Sequence, residues 1–210
     1  MRRSSVLLMT AVAALLMPGC RSPEQVRPAG ARPHYANPRK DIRMVGRIIL
    51  VEPANLSAHP RISADFTDAL SQAIKKKNLF GQIVIYRGDP LFAKHQLGCE
   101  TCPPEIIKEV QQAFAADAIL TGVIRDYQAH PRLAISVRLR LTDLADGELI
   151  WAMEQVWDTT DKEIEKRMRG FFETEMGSGY EPLNWRIGLI SPHIFNKFVC
   201  YEIGETLAPR

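Results

Sequence analysis

Beyond its first twenty residues, this chain lacks the features that mark membrane-spanning, nucleic-acid-binding and nucleotide-binding proteins. No later apolar run approaches the ~20 residues that a membrane-spanning helix needs. Its 27 basic residues stand against 24 acidic residues, so no basic excess favours a nucleic-acid partner. Gly177-Ser178-Gly179 has neither the lysine nor the preceding strand of a phosphate-binding loop.

Catalytic motifs are missing as well. The histidines are scattered along the chain, and none stands in a recognisable motif with a nucleophile and a carboxylate. Asp143 and Asp146 suit a tight turn, and a calcium loop would need more oxygen ligands at ordered spacing. We therefore expect no catalytic residue, no metal site and no cofactor, and we predict that the protein is not an enzyme.

The first twenty residues carry the clearest signal in the chain. Arg2 and Arg3 precede an apolar run over residues 6–17, and Gly19 is followed directly by Cys20. This order is typical of a secretory signal peptide, and the small residue before cysteine resembles the lipobox of bacterial lipoproteins. We predict that residues 1–19 are removed and that acyl chains on Cys20 anchor the protein in a lipid bilayer.

The residue after the lipidated cysteine bears on localisation. Arg21 follows Cys20, whereas in proteobacterial lipoproteins an Asp there would favour retention in the inner membrane. By this analogy we predict a cell-envelope protein at the periplasmic face of the outer membrane.

Composition divides the rest of the chain. Residues 20–43 contain four prolines and almost no aliphatic side chains, so we read them as the lipidated cysteine and a tether that cannot form a core. We place an α/β domain at residues 44–160 and a C-terminal helical extension at residues 161–210.

Hydrophobic periodicity predicts the order β-α-β-α-β-β-β within residues 44–160. Arg47–Val51 and Gln82–Tyr86 have the composition of buried strands, and Ser63 is the expected cap of the helix between them. The run over residues 133–142 alternates apolar and polar side chains, and Asp146-Gly147 indicates a hairpin. We expect an α/β (α+β) fold with a mixed sheet of about five strands, helices on one face, and C-terminal helices that begin with a capping box of Thr160 and Glu163.

Residues 47–157 resemble a family of bacterial envelope lipoproteins of the LpoB and CsgG type, whose domain is similar to the TolB N-terminal domain. The resemblance is carried by three segments, RIILVEPAN (47–55), ADAILTGVIRDY (116–127) and VRLRLTDLADGELIW (137–151). It implies the α/β fold, and its shared positions are structural. Members of the family bind partner proteins or assemble into rings, which implies an envelope protein partner or self-association here.

Cys99-Glu100-Thr101-Cys102 is the one local arrangement with obvious chemistry. A disulfide that closes this loop is our leading interpretation. Zinc binding with His95 would need a fourth ligand, and a redox pair would be expected closer to a helix N-terminus than Pro103-Pro104 allows. All three interpretations remain open.

The leading functional hypothesis is a membrane-anchored envelope lipoprotein that acts as a non-enzymatic binding, assembly or regulatory factor for another envelope protein. Tyr180 and Trp185 are the candidate partner contacts, because exposed aromatic residues dominate interface energetics. Packing against the last helix is the alternative for both residues. Two other functions are kept, a thiol-disulfide or zinc-dependent activity at Cys99 and Cys102, and a subunit of a secretion-related oligomer.

Overall fold

The computed structural model describes residues 32–87, 104–177 and 179–207. The strands are β1 (His34–Ala36), β2 (Arg47–Val51), β3 (Ala54–Asn55), β4 (Gln82–Tyr86), β5 (Ala118–Gln128), β6 (Ala134–Asp143) and β7 (Leu149–Asp158). They form one mixed sheet in the order β1-β7-β6-β5-β2-β4, and the short strand β3 pairs with β5. The pairs β2–β4, β2–β5 and β3–β5 are parallel, and the others are antiparallel.

Four α-helices accompany the sheet in the described part of the chain. They are α1 (Ile62–Lys77), α2 (Pro104–Phe114), α3 (Lys162–Phe171) and α4 (Pro192–Leu207). A π-helical segment, Phe172–Met176, continues α3, and 3-10 helices occupy Ile42–Met44 and Asn184–Leu189. The predicted class, a mixed α/β fold with C-terminal helices, is confirmed. None of the helices in these ranges is long and apolar enough to cross a bilayer.

The strand count is higher than the predicted five because two short strands were missed. β1 lies inside the proline-containing segment assigned to the tether, and it pairs with β7 through His34 opposite Met153 and Ala36 opposite Trp151. β1 itself is exposed on all three residues. Its pairing depends on the backbone of β7, so composition carried no signal for it. Residues 32–43, which precede the predicted start at Met44, are therefore part of the described fold.

The sequence predicted that the helices lie on one face of the sheet, but in the structure they lie on both faces. The connection from β2 to β4 through α1 moves across the sheet in one direction, and the connection from β4 to β5 through α2 moves back past β2. Right-handed crossovers in opposite directions place their helices on opposite faces. Accordingly, Ile48 and Leu50 pack into the main core with α1, while Ile49 packs with Val110 of α2.

The main core lies between the sheet and α1, α3 and α4. Burial alternates along β6, as predicted, and Val137, Leu139 and Leu141 are buried in this core. Trp151 and Trp157 of β7 are both buried in it. The apolar residues of α4 are distributed around the helix, and nearly all of its sides are buried. It runs beside α1.

Two predicted helix caps are wrong. α1 begins at Ile62, one residue before Ser63, and the buried Ser63 hydroxyl donates to the Pro53 carbonyl at 2.8 Å instead of capping the helix. At α3 the cap is Asp161, whose carboxylate accepts from the Glu163 amide at 2.8 Å. Thr160 donates its hydroxyl to Asp158 at 2.7 Å. In both cases a neighbouring polar group competed for the hydroxyl.

The segments that carry the family resemblance have structural roles. The Asp117 carboxylate accepts hydrogen bonds from the amides of Gly46 and Arg47 at 2.9 and 2.8 Å, and so joins the starts of β2 and β5. A Cβ atom at Gly122 would lie 2.7 Å from the Arg138 carbonyl oxygen and 2.4 Å from the Leu139 side chain. Only glycine allows β5 and β6 to approach this closely.

Candidate partner-binding surface

The sequence-predicted site residues divide into two groups. Cys20, Cys99 and Cys102 lie outside the described residues, so their lipidation, pairing and metal binding stay predictions. Tyr180 and Trp185 are described, and both lie on the segment between the π-helical turn and α4.

Trp185 lies between two guanidinium groups. The Cζ atom of Arg169, from α3, is 4.7 Å from the centre of the Trp185 ring, and the Cζ atom of Arg186 is 5.2 Å from it. Both distances are within the range of cation–π attraction. The 3-10 helix Asn184–Leu189 provides this arrangement by placing Trp185 against the end of α3.

Neither of these arginines forms an ion pair within the described ranges. The charges of both arginines act on Glu165, whose carboxylate accepts from the Lys162 ammonium at 2.7 Å. That hydrogen bond is the main cause of the lowered pKa of Glu165, and the charges of Arg169 and Arg186 contribute less. The two guanidinium groups therefore remain available to an external anionic group.

Tyr180 and Trp185 also have a structural role, because both are half-buried against the main core. The Tyr180 ring meets Phe172 edge to face, with 5.6 Å between the ring centres. Gly188 allows the 3-10 helix to lie directly on Met168, since a Cβ atom at this position would be 2.5 Å from the Met168 sulfur. Both aromatic residues therefore pack against the core, as the alternative interpretation expected.

Two apolar side chains on the same segment as Trp185 are exposed. Leu183 is 41% exposed and Ile190 is 62% exposed. Arg169, Trp185 and Arg186 line one shallow depression, and we refer to these three residues together with Leu183 and Ile190 as the Trp185 surface. Aromatic residues and arginine are the types enriched at the centres of protein interfaces.

Sequence reasoning missed the most heavily bonded charge in the described structure, Glu202 of α4. Its carboxylate is fully buried and accepts from Trp157 Nε1 at 2.8 Å, from Arg167 Nε at 2.9 Å and from Arg32 Nη2 at 3.0 Å. We call these four residues the Glu202 cluster. The position of Glu202 among the apolar residues of the last helix was the available signal, because a buried carboxylate needs charged partners.

The cluster fixes the start of the described chain to the core. Arg32 precedes β1, Trp157 lies on β7, Arg167 on α3 and Glu202 on α4. Lys40 adds a second attachment, since its ammonium bonds Asp143 at 2.8 Å and also Asp146. Those hydrogen bonds raise the pKa of Lys40 well above its usual value. Residues 32–43, which belong to the segment predicted to be a tether, are therefore held at two points.

No trio of histidine, cysteine or acidic side chains suited to a metal ion occurs in the ranges that the structure describes. Cys200 is a buried free thiol whose pKa burial raises well above the usual value. A thiol in that state is a poor nucleophile.

Neither a family model nor a curated protein sequence matches the chain. The chain is similar at low identity to a number of solved structures, of which three are described here. The PelC dodecamer from Paraburkholderia phytofirmans is 13% identical with a TM-score of 0.44, over 60% of this chain and 79% of that one. A lipoprotein from Neisseria meningitidis is 15% identical with a TM-score of 0.39, over 68% and 91%. The LpoB C-terminal domain from Salmonella enterica is 18% identical with a TM-score of 0.38, over 54% and 83%. Similarities of this size say nothing about what this chain binds.

Proposed function

We propose that this protein is a lipid-anchored envelope protein without catalytic activity, and that it docks on another envelope protein through the Trp185 surface. The lipid anchor rests on the sequence, in which Arg2, Arg3 and the apolar run precede Gly19-Cys20. The docking role rests on a surface in the described part of the fold.

The observation that carries the docking proposal is Trp185 between two arginines that form no ion pair with any residue of the described ranges. An exposed guanidinium with no acidic partner costs the free protein little, since water solvates it. Exclusion of water by a partner strengthens both its cation–π contact and any bond it makes to a carboxylate. Leu183 and Ile190 would lose apolar surface to the same partner.

These features define the chemistry of the partner. It should present carboxylates to Arg169 and Arg186, and apolar side chains to Leu183 and Ile190. Its contact should be sensitive to salt, because the charges lie at the protein surface. Self-association is a separate outcome, in which a second copy of this chain would occupy the surface.

Photocrosslinking in living cells tests the proposal. Ile190 is replaced by p-benzoylphenylalanine in the full chain, and crosslinked envelope proteins are captured and identified. Val156, which is 61% exposed on β7, is the control position. We expect one envelope protein to be enriched at position 190 over position 156, and Arg169→Ala with Arg186→Ala to remove it.

Several results would contradict the proposal. They are equal labelling from both positions, a crosslink that survives the double arginine substitution, or a cytoplasmic protein as the main product. A crosslink between two copies of the chain would replace partner docking with self-association.

Membrane attachment is tested separately with Cys20→Ser. We expect this variant to move from the membrane fraction to the soluble fraction while its folded domain keeps its melting temperature. If the variant remains membrane-bound and active, the lipid-anchor part of the proposal fails, whatever the crosslinking result.

A further inference from the structure

The two strands that end the described sheet, β1 and β4, differ in how they are protected. β1 has three residues and stands between Pro33 and Pro38, which have no N–H to offer a further strand. β4 has five residues, QIVIY, with no proline, no charged side chain and no irregularity in its pairing with β2. An apolar edge strand without such protection is expected to be covered by another strand.

The hydrogen-bond pattern shows which backbone groups of β4 face outward. The Gln82 amide donates to the Gly46 carbonyl at 3.0 Å, on the side of β2. Because the direction of the backbone groups alternates along a strand, Val84 also bonds β2, while Ile83 and Ile85 direct their N–H and C=O groups away from it. Within the described ranges, β4 pairs with no strand on that outer side.

The side chains of β4 are apolar and incompletely covered. Ile83 and Ile85 pack against the main core, and the Tyr86 ring meets Phe114 of α2 with 5.5 Å between the ring centres. Residues 83–85 nevertheless remain partly exposed. A strand laid along this edge would therefore remove apolar surface from water as well as satisfy the outward backbone groups.

The strand is complementary to itself. When it lies antiparallel to a second copy with Val84 on the two-fold axis, it pairs along its whole length and Ile83 lies opposite Ile85 of the second copy. Each such pair exchanges both of its backbone hydrogen bonds, whereas the two Val84 residues form a non-hydrogen-bonded pair. Apolar β-branched side chains then lie opposite one another, which stabilises paired strands.

The charges of α1 fit the same arrangement. Lys75 and Lys76 lie in the last turn of α1, which leads into the start of β4. Asp65 and Asp68 lie in its first half, and Asp68 bonds Arg87, just beyond the end of β4. An antiparallel second copy brings the basic end of one α1 level with the acidic half of the other. Charge therefore favours antiparallel pairing of two copies over parallel pairing.

We propose that two copies of this protein associate through β4, antiparallel and with Val84 on the two-fold axis, and so form one continuous sheet. The contact uses none of the residues of the Trp185 surface, and it goes beyond the docking proposal. Strand addition at an open sheet edge is an established mode of association, in which backbone hydrogen bonds supply affinity and side chains supply specificity.

The first test is the mass of the full-length chain in detergent micelles. Light scattering with a large excess of micelles over protein gives the protein mass in each particle. We expect the mass of two chains. The mass of one chain overturns the proposal, and it is the result expected if another part of the same chain covers β4.

Val84→Cys tests the register in living cells. The Cα atoms of a non-hydrogen-bonded antiparallel pair lie about 4.5 Å apart, within the range of about 4.4–6.8 Å that a disulfide spans. We expect a disulfide-linked dimer on a non-reducing gel, with mass spectrometry identifying a bond between the two introduced cysteines. Leu56→Cys, at a site that is 70% exposed, is the control and should not give this dimer. Absence of the dimer from Val84→Cys, or equal amounts from both variants, overturns the proposal.

Ile85→Pro tests the edge itself. Proline removes an outward N–H that β2 does not use, so the folded circular dichroism spectrum should persist while the mass falls from two chains to one. Trp185→Ala should keep the mass of two chains, so failure here is distinct from failure of the docking proposal. If Trp185→Ala gives single chains and Ile85→Pro does not, self-association belongs to the Trp185 surface and the β4 contact is wrong. If Ile85→Pro does not fold, the crosslink at position 84 decides.

Discussion

The Glu202 cluster and the Trp185 surface are built from the same kinds of side chain, and they are used in opposite ways. Arg167 and Arg169 are two residues apart on α3, and each lies near a tryptophan. In the cluster, Trp157 is fully buried and donates to the same carboxylate that Arg167 bonds. At the surface, Trp185 is half-buried, and neither of its two arginines forms an ion pair with another residue that the structure describes.

The difference shows where charge stabilises the fold and where it remains available for binding. A buried carboxylate has to be matched inside the protein, because no water reaches it. Exposed guanidinium groups carry no such requirement, so their lack of a partner costs the fold little and leaves binding energy for another protein. Substitutions in the two regions should therefore affect different measurements.

The largest expected effect is that of Glu202→Gln. The substitution keeps an acceptor for Trp157 but leaves the Arg167 and Arg32 charges without their carboxylate, which should cost about 3–5 kcal/mol of unfolding free energy. Urea unfolding followed by tryptophan fluorescence measures it. Glu163→Gln, an exposed residue on α3, is the control and should change stability by less than about 0.5 kcal/mol. Similar small losses for both variants would show that the cluster does not hold the fold.

The next test compares two arginines on one helix. Arg167→Ala should lower the unfolding free energy by about 2 kcal/mol, because Glu202 retains only Arg32 and the indole as partners. Arg169→Ala should leave stability within about 0.5 kcal/mol and weaken partner capture about tenfold. Parallel urea titrations and crosslinking yields check the pair. If Arg169→Ala destabilises the protein as much as Arg167→Ala does, Arg169 also stabilises the fold and the contrast between the two arginines is wrong.

Two glycines test whether the Trp185 surface depends on close packing. Gly188→Ala would bring its methyl group against the Met168 sulfur and should cost about 1 kcal/mol. Gly170→Ala on α3 meets nothing within 4 Å and should stabilise the helix by about 0.5–1 kcal/mol. Melting temperatures of the two variants should move in opposite directions. If Gly188→Ala is neutral, the 3-10 helix rests on Met168 more loosely than its geometry indicates.

The smallest effect concerns Glu165, the acid that senses both surface arginines. Its pKa lies below the ordinary value of 4.5, first because of the Lys162 hydrogen bond and then because of Arg169 and Arg186. A lowered pKa means that this interaction stabilises the fold above about pH 4.5 and that the stabilisation is lost as pH falls through the lower, folded-state value. Carbon NMR titration should show Lys162→Ala raising the Glu165 pKa more than Arg169→Ala does. The reverse order would mean that the arginines are already engaged with Glu165.

The sequence predicted the strands in which the type of side chain reflects whether the position is buried or exposed. β2 and β4 match the predicted bounds, and β6 has the predicted alternation because one of its faces is buried. It failed for β1, which is exposed and is held by hydrogen bonds to β7. It also failed for the caps at Ser63 and Thr160. The Ser63 hydroxyl bonds the Pro53 carbonyl, which lies ten residues away in the chain, and the Thr160 hydroxyl bonds the local Asp158 carboxylate.

The candidate site was predictable in part. Trp185 stood out as an aromatic residue in a loop-like stretch, and the structure places it half-exposed. The two arginines around it come from different elements, so no local pattern could pair them. The same holds for Glu202, whose partners lie 35, 45 and 170 residues away in the chain.

What the amino-acid sequence determines by itself is local. The signal-like N-terminus with Cys20, the order of the main strands and helices, and the buried face of β6 all follow from neighbouring residues and their periodicity. What only the tertiary structure decides is the environment of each charge. Two arginines separated by one residue on α3 end up in opposite situations, because the solvent and the carboxylate that distinguish them are set by distant parts of the chain.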